Sequence, residues 1–193
     1  MIGYAFTGSF CTLSRSLSVL MRLCEEGYRI QPIMSEAVYS TDTRFFKAED
    51  FKRRVEDITK MPIIHTVADA EPLGPKCPLD ALVIAPCTGN TLAKLANGIT
   101  DTAVTMAAKA HLRSDRRLLI ALASNDATSA NLENIGRLLM RKSVYMLPMI
   151  EDDPINKPHS LVAEIERLPE ALGLMMNEGR QMTPIFSHRQ LNN

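Results

Sequence analysis

Short hydrophobic runs alternate along the chain with segments in which hydrophobic residues recur every three or four positions. A continuous run is typical of a strand buried on both faces of a parallel sheet, and the longer spacing is typical of a helix packed on one side. Six runs are predicted as strands, at 2–6, 29–34, 61–65, 81–85, 118–123 and 144–147. Strands that alternate with helices predict an α/β fold: a doubly wound parallel sheet of about six strands flanked by helices, as in Rossmann-like and flavodoxin-like proteins.

The same pattern predicts a single domain over residues 1–193, without repeats or linkers. Pro86 is expected to end the fourth strand, because proline cannot donate to the ladder of hydrogen bonds. Residues 151–160 contain two prolines and are expected to be extended and exposed, with Ser160 capping the helix that follows. From about position 180 the chain is polar, and this tail is predicted to be mobile.

Small polar residues follow several of the predicted strands. The turns around Gly8, Ser35 and Thr88 would meet at the carboxyl edge of the sheet, where open α/β sheets bind their ligands. The turn at Thr88 leads into a helix whose free N–H groups and dipole favour an anion or a cofactor head group. Residues 124–129 form a further polar loop at the end of a strand. Ordinary strand-to-helix turns have similar residues, so the spacing alone leaves both interpretations open.

Charge balance and missing motifs narrow the function classes. The 193 residues include 22 basic and 22 acidic side chains, which gives no electrostatic reason to expect nucleic acid as a partner. No hydrophobic run reaches the roughly 20 residues that cross a bilayer, so no membrane partner is expected and a cytoplasmic protein is predicted. The four cysteines lack zinc-site spacing, so no metal is expected. A complete G-x-G-x-x-G fingerprint and a P-loop lysine are both missing, which argues against an NAD or ATP site on this chain.

The most informative sequence motifs lie at 85–101, where Ala-Pro-Cys-Thr-Gly-Asn-Thr is followed by Ala-Asn-Gly-Ile-Thr-Asp. They resemble the Pro-Ala-Ser-Ala-Asn-Thr box, with its trailing Ala-Asn-Gly, of the homo-oligomeric flavin-containing Cys decarboxylase family. That family includes phosphopantothenoylcysteine decarboxylase and the flavin prenyltransferases. The resemblance implies a pocket for flavin mononucleotide (FMN) and a homo-oligomer, a trimer or a multiple of one. The residues then expected to bind the cofactor are Gly8, Ser9, Phe10, Ser35, Pro86, Cys87, Thr88, Gly89, Asn90, Thr91, Ser124 and Asn125.

Further sequence motifs across 85–163, among them Ser-Asn-Asp-Ala and Asp-Asp-Pro-Ile-Asn-Lys-Pro-His-Ser, resemble those of one branch of this family, found in spore-forming bacteria. The resemblance implies an oxidoreductase subunit that acts with a second, Rossmann-type subunit carrying NAD(P). It also implies a small cyclic dicarboxylate of the lysine pathway as substrate, and the mother cell of a sporulating bacterium as the location.

Several alternatives stay open. The sequence has Ser124-Asn125-Asp126 where the decarboxylases have Pro-x-Met-Asn and the prenyltransferases an Arg-Glu pair. The competing functions are therefore a flavin-dependent decarboxylase, a flavin prenyltransferase and an assembly subunit without a redox role, and no catalytic residue is assigned. His65 is either a catalytic histidine or an ordinary residue at a strand end. Ser35 either contacts the cofactor or caps a helix.

Overall fold

The computed structural model of the chain describes residues 1–187, in which a seven-stranded sheet lies between two layers of helices. The strands are β1 (Ile2–Phe6), β2 (Ile30–Met34), β3 (Ala81–Thr88), β4 (Arg117–Ser124), β5 (Val144–Met146), β6 (Met149–Asp153) and β7 (Lys157–Ala163). The helices are α1 (Leu13–Glu25), α2 (Glu36–Ser40), α3 (Ala48–Thr59), α4 (Val67–Ala70), α5 (Gly89–Asn97), α6 (Ala103–Leu112), α7 (Leu132–Leu139) and α8 (Leu168–Glu178). The predicted α/β class with a flavodoxin-like sheet is confirmed.

The sheet is parallel through its first part and antiparallel at its far end. The strand order is β2-β1-β3-β4-β7-β6, and β5 pairs with β4 beside this path. β1 to β5 pair in parallel, whereas β7 runs antiparallel to both β4 and β6. The sheet is therefore mixed, which corrects the prediction of a purely parallel one.

The two antiparallel strands form a hairpin in the segment that was expected to be extended and exposed. Its turn is fixed by Asp153, whose carboxylate accepts hydrogen bonds from the backbone N–H and side-chain amide of Asn156, at 3.1 and 2.9 Å. Ser160 is buried within β7 and caps no helix, so that expectation is wrong. A 3-10 turn intervenes, and α8 begins at Leu168 with Pro169 in its first turn, where proline's missing N–H costs nothing.

Two other strand predictions need correction. The predicted strand at 61–65 is reduced to a single bridge between Ile64 and Ile33 of the edge strand β2. β3 does not end at Pro86 but continues to Thr88, with a shift of register towards β4 between Ile84 and Cys87. This irregularity accommodates the proline, and it extends the strand to the edge where the polar turns lie.

Alternate residues of the central strands supply two hydrophobic cores. Tyr4 and Phe6 of β1 face the core covered by α1, α3 and α8, and Ala5 between them faces the core covered by α5, α6 and α7. Side chains on both faces of β3 are buried in the same way, among them Val83 on one side and Ile84 on the other. This double burial is the reason that the central strands have continuous hydrophobic runs.

The segment after α8 makes specific contacts as far as the structure describes it. The side chain of Gln181 donates to the carbonyl oxygen of Met146 and accepts from its N–H, at 2.6 and 2.8 Å, and Phe186 forms a bridge with Met149. The prediction of a mobile tail also covers residues 188–193, which lie outside the described residues. Within 1–187 no helix has the length and hydrophobicity to cross a membrane, and no three metal-binding side chains converge.

Candidate functional site

A cavity of about 660 Å³ lies at the carboxyl edge of the sheet, over the ends of β1, β3, β4 and β7. Its lining includes eight of the twelve residues expected to bind a cofactor: Gly8, Ser9, Phe10, Thr88, Gly89, Asn90, Ser124 and Asn125. The turns are separated by up to 117 positions along the chain, from 8 to 125, and the topology brings them together. The arrangement agrees with the general placement of ligands at this edge of α/β sheets.

The floor of the cavity is fixed by a threonine on the β1 side of the cleft. Thr7 is buried; its hydroxyl donates to the carbonyl oxygen of Pro86 at 2.8 Å and accepts from the N–H of Thr88 at 2.9 Å. One layer below, the Ser16 hydroxyl of α1 donates to the carbonyl oxygen of Ala85 at 2.6 Å. The N–H of Thr7 also donates to the Pro86 carbonyl oxygen, at 3.2 Å, and together these bonds hold the ends of β1 and β3 in register.

The start of α5 forms the next part of the cavity floor. Thr88 is the N-cap of this helix: its hydroxyl accepts from the N–H of Thr91 at 3.2 Å and donates to the Thr91 hydroxyl at 3.1 Å. Thr91 is buried and does not line the cavity, so its contacts in the structure are those of a capping partner. Gly89 and Asn90, in the first turn, line the cavity.

Gly89 allows the loop after β4 to lie directly against α5. A Cβ at this position would stand 2.5 Å from Ser124 Oγ, 2.7 Å from Asn131 Nδ2 and 3.0 Å from Asp126 Oδ1. Real Cβ atoms do not approach other heavy atoms at the two shorter distances. The glycine is thus required by close packing, and its φ is not in the left-handed region.

Those three side chains form a network centred on one carboxylate oxygen. The Ser124 hydroxyl donates to Asp126 Oδ1, and Asn131 Nδ2 donates to the same atom at 2.9 Å. The two bonds, that from Ser124 first, hold the pKa of Asp126 below its usual value, so this carboxylate is ionised at neutral pH. Asn134 in turn donates to Asn131 Oδ1 at 3.0 Å, which fixes the orientation of the Asn131 amide.

Two arginines reach the cavity, and they differ in their partners. Arg15 of α1 forms a bidentate pair with Glu166, with Nε–Oε1 and Nη2–Oε2 distances of 2.7 and 2.6 Å. Arg44 lies over the ring of Phe45, 4.9 Å from its centroid, and within the described residues it forms no ion pair. Arg44 is therefore the cation that an anionic ligand could engage without breaking an existing pair.

Four residues of the predicted set do not line the cavity: Ser35, Pro86, Cys87 and Thr91. Pro86 contributes through its carbonyl oxygen, as described above. Cys87 is fully buried, and burial raises the pKa of its thiol, so it stays protonated. Ser35 occupies the N-cap position of α2, but its side chain does not cap the helix, and its buried Oγ has no hydrogen-bond partner within residues 1–187.

His65 also lies outside the cavity lining. Its ring stacks on that of Tyr39, with centroids 3.7 Å apart and planes within 3° of parallel. On the other side of this pair, the ammonium group of Lys52 stands 4.3 Å from the Tyr39 centroid. In this single chain the histidine is thus part of a stack near α2 and α3, and its imidazole does not reach the edge cavity.

Sequence reasoning missed Arg44 and Asn131, and it placed Asp126 in the polar loop at 124–129 without giving it a binding role. Arg44 falls in a stretch without periodicity that predicts only a loop, and Asn131 lies seven positions beyond Ser124, the last residue of β4. Asp126 had a usable signal, since it directly follows Ser124 and Asn125 at a strand end. An acidic residue there is unusual for a site expected to hold a phosphate.

Comparisons with known proteins agree with this architecture. A sequence model described as Flavoprotein matches residues 1–169. The B subunit of dipicolinate synthase from Bacillus subtilis (strain 168) is 40% identical over 185 residues, which cover 96% of this chain and 92% of that protein. The crystal structure of the dipicolinate synthase B subunit from Bacillus halodurans superposes with a TM-score of 0.88 at 40% identity, covering 96% of this chain and 95% of the other. The FMN-dependent cysteine decarboxylase SpaF shares the fold, with a TM-score of 0.64 at 20% identity over 87% and 91% of the two chains.

Proposed function

The chain belongs to the Flavoprotein family, and we propose that it is the flavin-binding subunit of a two-subunit oxidoreductase of the dipicolinate synthase type. The observation that supports this most directly is the 40% identity to the dipicolinate synthase B subunit over nearly the whole of both chains. The partner would be the A subunit of dipicolinate synthase, which carries NAD(P). The setting would be the mother cell of a sporulating bacterium.

The donors at the edge cavity suit an FMN molecule. The lining of the cavity supplies the hydroxyls of Ser9 and Thr12, the amides of Asn90 and Asn125, and the guanidinium of Arg44. These groups match the hydroxyl, carbonyl and phosphate groups of a flavin nucleotide. Bound there, the flavin would supply a two-electron acceptor.

The overall reaction proposed is the oxidation of a cyclic precursor to dipicolinic acid. Dihydrodipicolinate loses two hydrogens, as a hydride and a proton, and its ring becomes aromatic; hydroxytetrahydrodipicolinate first loses water. The hydride's electron pair ends on NAD(P)⁺ of the A subunit, which becomes NAD(P)H, and the substrate's proton is released.

The residues of this chain would bind and orient the reactants. Thr7 and Thr88 hold the floor, and the β6–β7 hairpin borders the cavity through Asp152 and Ser160. Two substrate carboxylates require cationic or N–H donors. With Arg44 placed at the flavin phosphate, we assign no residue of this chain to the substrate carboxylates. We assign no residue to proton transfer.

The test is a flavin titration followed by a reconstituted assay. We expect added FMN to shift its visible absorbance when the purified chain is present, and Thr88→Ala or Asn90→Ala to weaken binding without unfolding the chain. A mixture of the A subunit, this chain, FMN, NAD(P)⁺ and precursor should form dipicolinate and NAD(P)H faster than the same mixture without this chain. If FMN does not bind, or if omitting this chain leaves the full rate, the chain serves in assembly and has no redox role.

We also propose a homo-oligomer, a trimer or a multiple of one. The proposal rests on the resemblance of residues 85–101 to a homo-oligomeric family. Light scattering at micromolar concentration should give at least three times the mass of one chain, and a monomer would contradict the proposal.

A further inference from the structure

The charges around the edge cavity are not evenly distributed. Strands β1, β3 and β4 are successive neighbours, so the turns after them line the edge in this order. The turn after β1 carries Phe10, whose ring stands 6.2 Å from that of Phe46, and this contact places the loop with Arg44 on the β1 side. Asp126 follows β4, two strand spacings or about 10 Å away. The cavity thus has an unpaired cation near one end and a carboxylate near the other.

The carboxylate of Asp126 lies against the first residue of α5. Its Oδ1 would be 3.0 Å from a Cβ at Gly89, and it accepts both of the hydrogen bonds from Ser124 and Asn131. The positive end of the α5 dipole therefore already faces a negative group. A phosphate at the same place would be repelled by the fixed carboxylate, so the side of the α5 N-terminus next to Asp126 disfavours an anion.

The other oxygen of Asp126 is available to a ligand. Asp126 is exposed and lines the cavity, and within the described chain no protein donor reaches its Oδ2. An ionised carboxylate accepts hydrogen bonds but donates none. The matching group on a ligand is an N–H or O–H donor, and an anionic group such as a phosphate is disfavoured.

We propose that Asp126 determines the orientation of the flavin, by accepting a hydrogen bond from its uncharged part (the ring imide N–H or a ribityl hydroxyl) and keeping the phosphate at the β1 and Arg44 end. This inference rests on the proposed flavin-binding function and adds to it a residue that sets polarity and specificity. Ser124 and Asn131 act as positioning residues, since they hold the carboxylate in place.

The test compares FMN with riboflavin, which lacks the phosphate, on the full chain. Asp126→Asn keeps an oxygen for Ser124 and Asn131 but removes the charge and the charged acceptor. We expect this variant to weaken both ligands by the same factor, about tenfold or more, because a hydrogen bond to a charged group is lost. Asp57→Asn makes the same charge change on the exposed face of α3, outside the cavity lining, and should leave both affinities unchanged.

Three outcomes would overturn the inference. Tighter FMN binding in Asp126→Asn, with riboflavin unchanged, would place the phosphate next to Asp126. Unchanged affinity for both ligands would mean that Asp126 contacts neither. If the wild-type chain binds neither ligand, the proposed function itself fails, and this result is distinct from the other two. Should Asp126→Asn fail to fold, Ser124→Ala keeps the carboxylate but loosens it, and must then weaken both ligands equally.

Discussion

The contact between α5 and the loop after β4 gives the sharpest prediction of stability. Gly89→Ala places a methyl group 2.5 Å from Ser124 Oγ and 2.7 Å from Asn131 Nδ2, where about 3.4 Å is ordinary contact. The loop must therefore move by most of an ångström, away from the helix. Neither neighbour is the far end of a long flexible side chain, so the strain is not easily relieved.

The magnitude follows from opposing effects. Overpacking of this kind costs about 1–3 kcal/mol, and weakening of the hydrogen bonds to ionised Asp126 adds to it, since such bonds are worth about 1.5–3 kcal/mol each. Replacing glycine by alanine in a helix returns up to about 1 kcal/mol. We expect a net loss of about 2 kcal/mol, which for a chain of this size lowers Tm by about 4–8 °C.

Circular dichroism during urea and thermal unfolding measures this loss. Gly136→Ala is the matched control, because Gly136 lies in α7 and a Cβ added there would meet nothing within 4 Å. At that position the same substitution should stabilise the chain by about 0.5–1 kcal/mol. If Gly89→Ala proves as stable as the wild type, the packing argument is refuted.

Three more predictions follow from the site. Thr7→Val should cost about 2–3 kcal/mol, because it leaves the N–H of Thr88 without its acceptor; Thr7→Ser should recover most of this, and equal urea midpoints for the two variants would contradict the hydrogen-bond argument. A thiol reagent at pH 8 should modify exposed Cys11 in the native chain but leave Cys87 unmodified until unfolding; rapid native modification of Cys87, read by mass spectrometry, would be the opposite result. Because the folded-state pKa of Asp126 is depressed, its stabilisation is present above the usual aspartate pKa of about 3.9 and is lost as the pH falls below it. The Tm difference between wild type and Asp126→Asn should therefore shrink between pH 6 and pH 3, and a constant difference would count against the network.

Much of the fold was predictable because the central strands are buried on both faces. Continuous runs such as that around Val83 identify β1, β3 and β4, and they also indicate the parallel α/β arrangement. The β6–β7 hairpin was not predicted, since Glu151 and Lys157 lie on exposed positions and Pro158 falls where the β6–β7 register is irregular. Strands of this kind lack both the hydrophobic run and clean alternation, and their pairing depends on contacts far along the chain.

Short sequence motifs were sufficient to identify site residues only where the local secondary structure determines where the residue lies. Thr88 and Gly89 could be identified because a strand end and a helix start flank them in sequence. Arg44 and Asn131 could not, since each reaches the edge through tertiary packing that no spacing reveals. Residues 85–101 indicated a family of flavin-binding proteins, and membership of the Flavoprotein family is confirmed. The cofactor-binding role of each residue stays a prediction.

β4 divides its hydrogen bonds between two neighbours along the same edge. Its first half pairs with β5 at Leu118–Ile120, and its last two residues pair with β7 at Ala123 and Ser124. The hairpin that borders the cavity is therefore joined to the central sheet over a very short stretch. The outer part of the hairpin, residues 151–159, can therefore be changed without touching the hydrogen bonds that hold the floor. In engineering terms, the β6–β7 hairpin is the place to graft a new specificity.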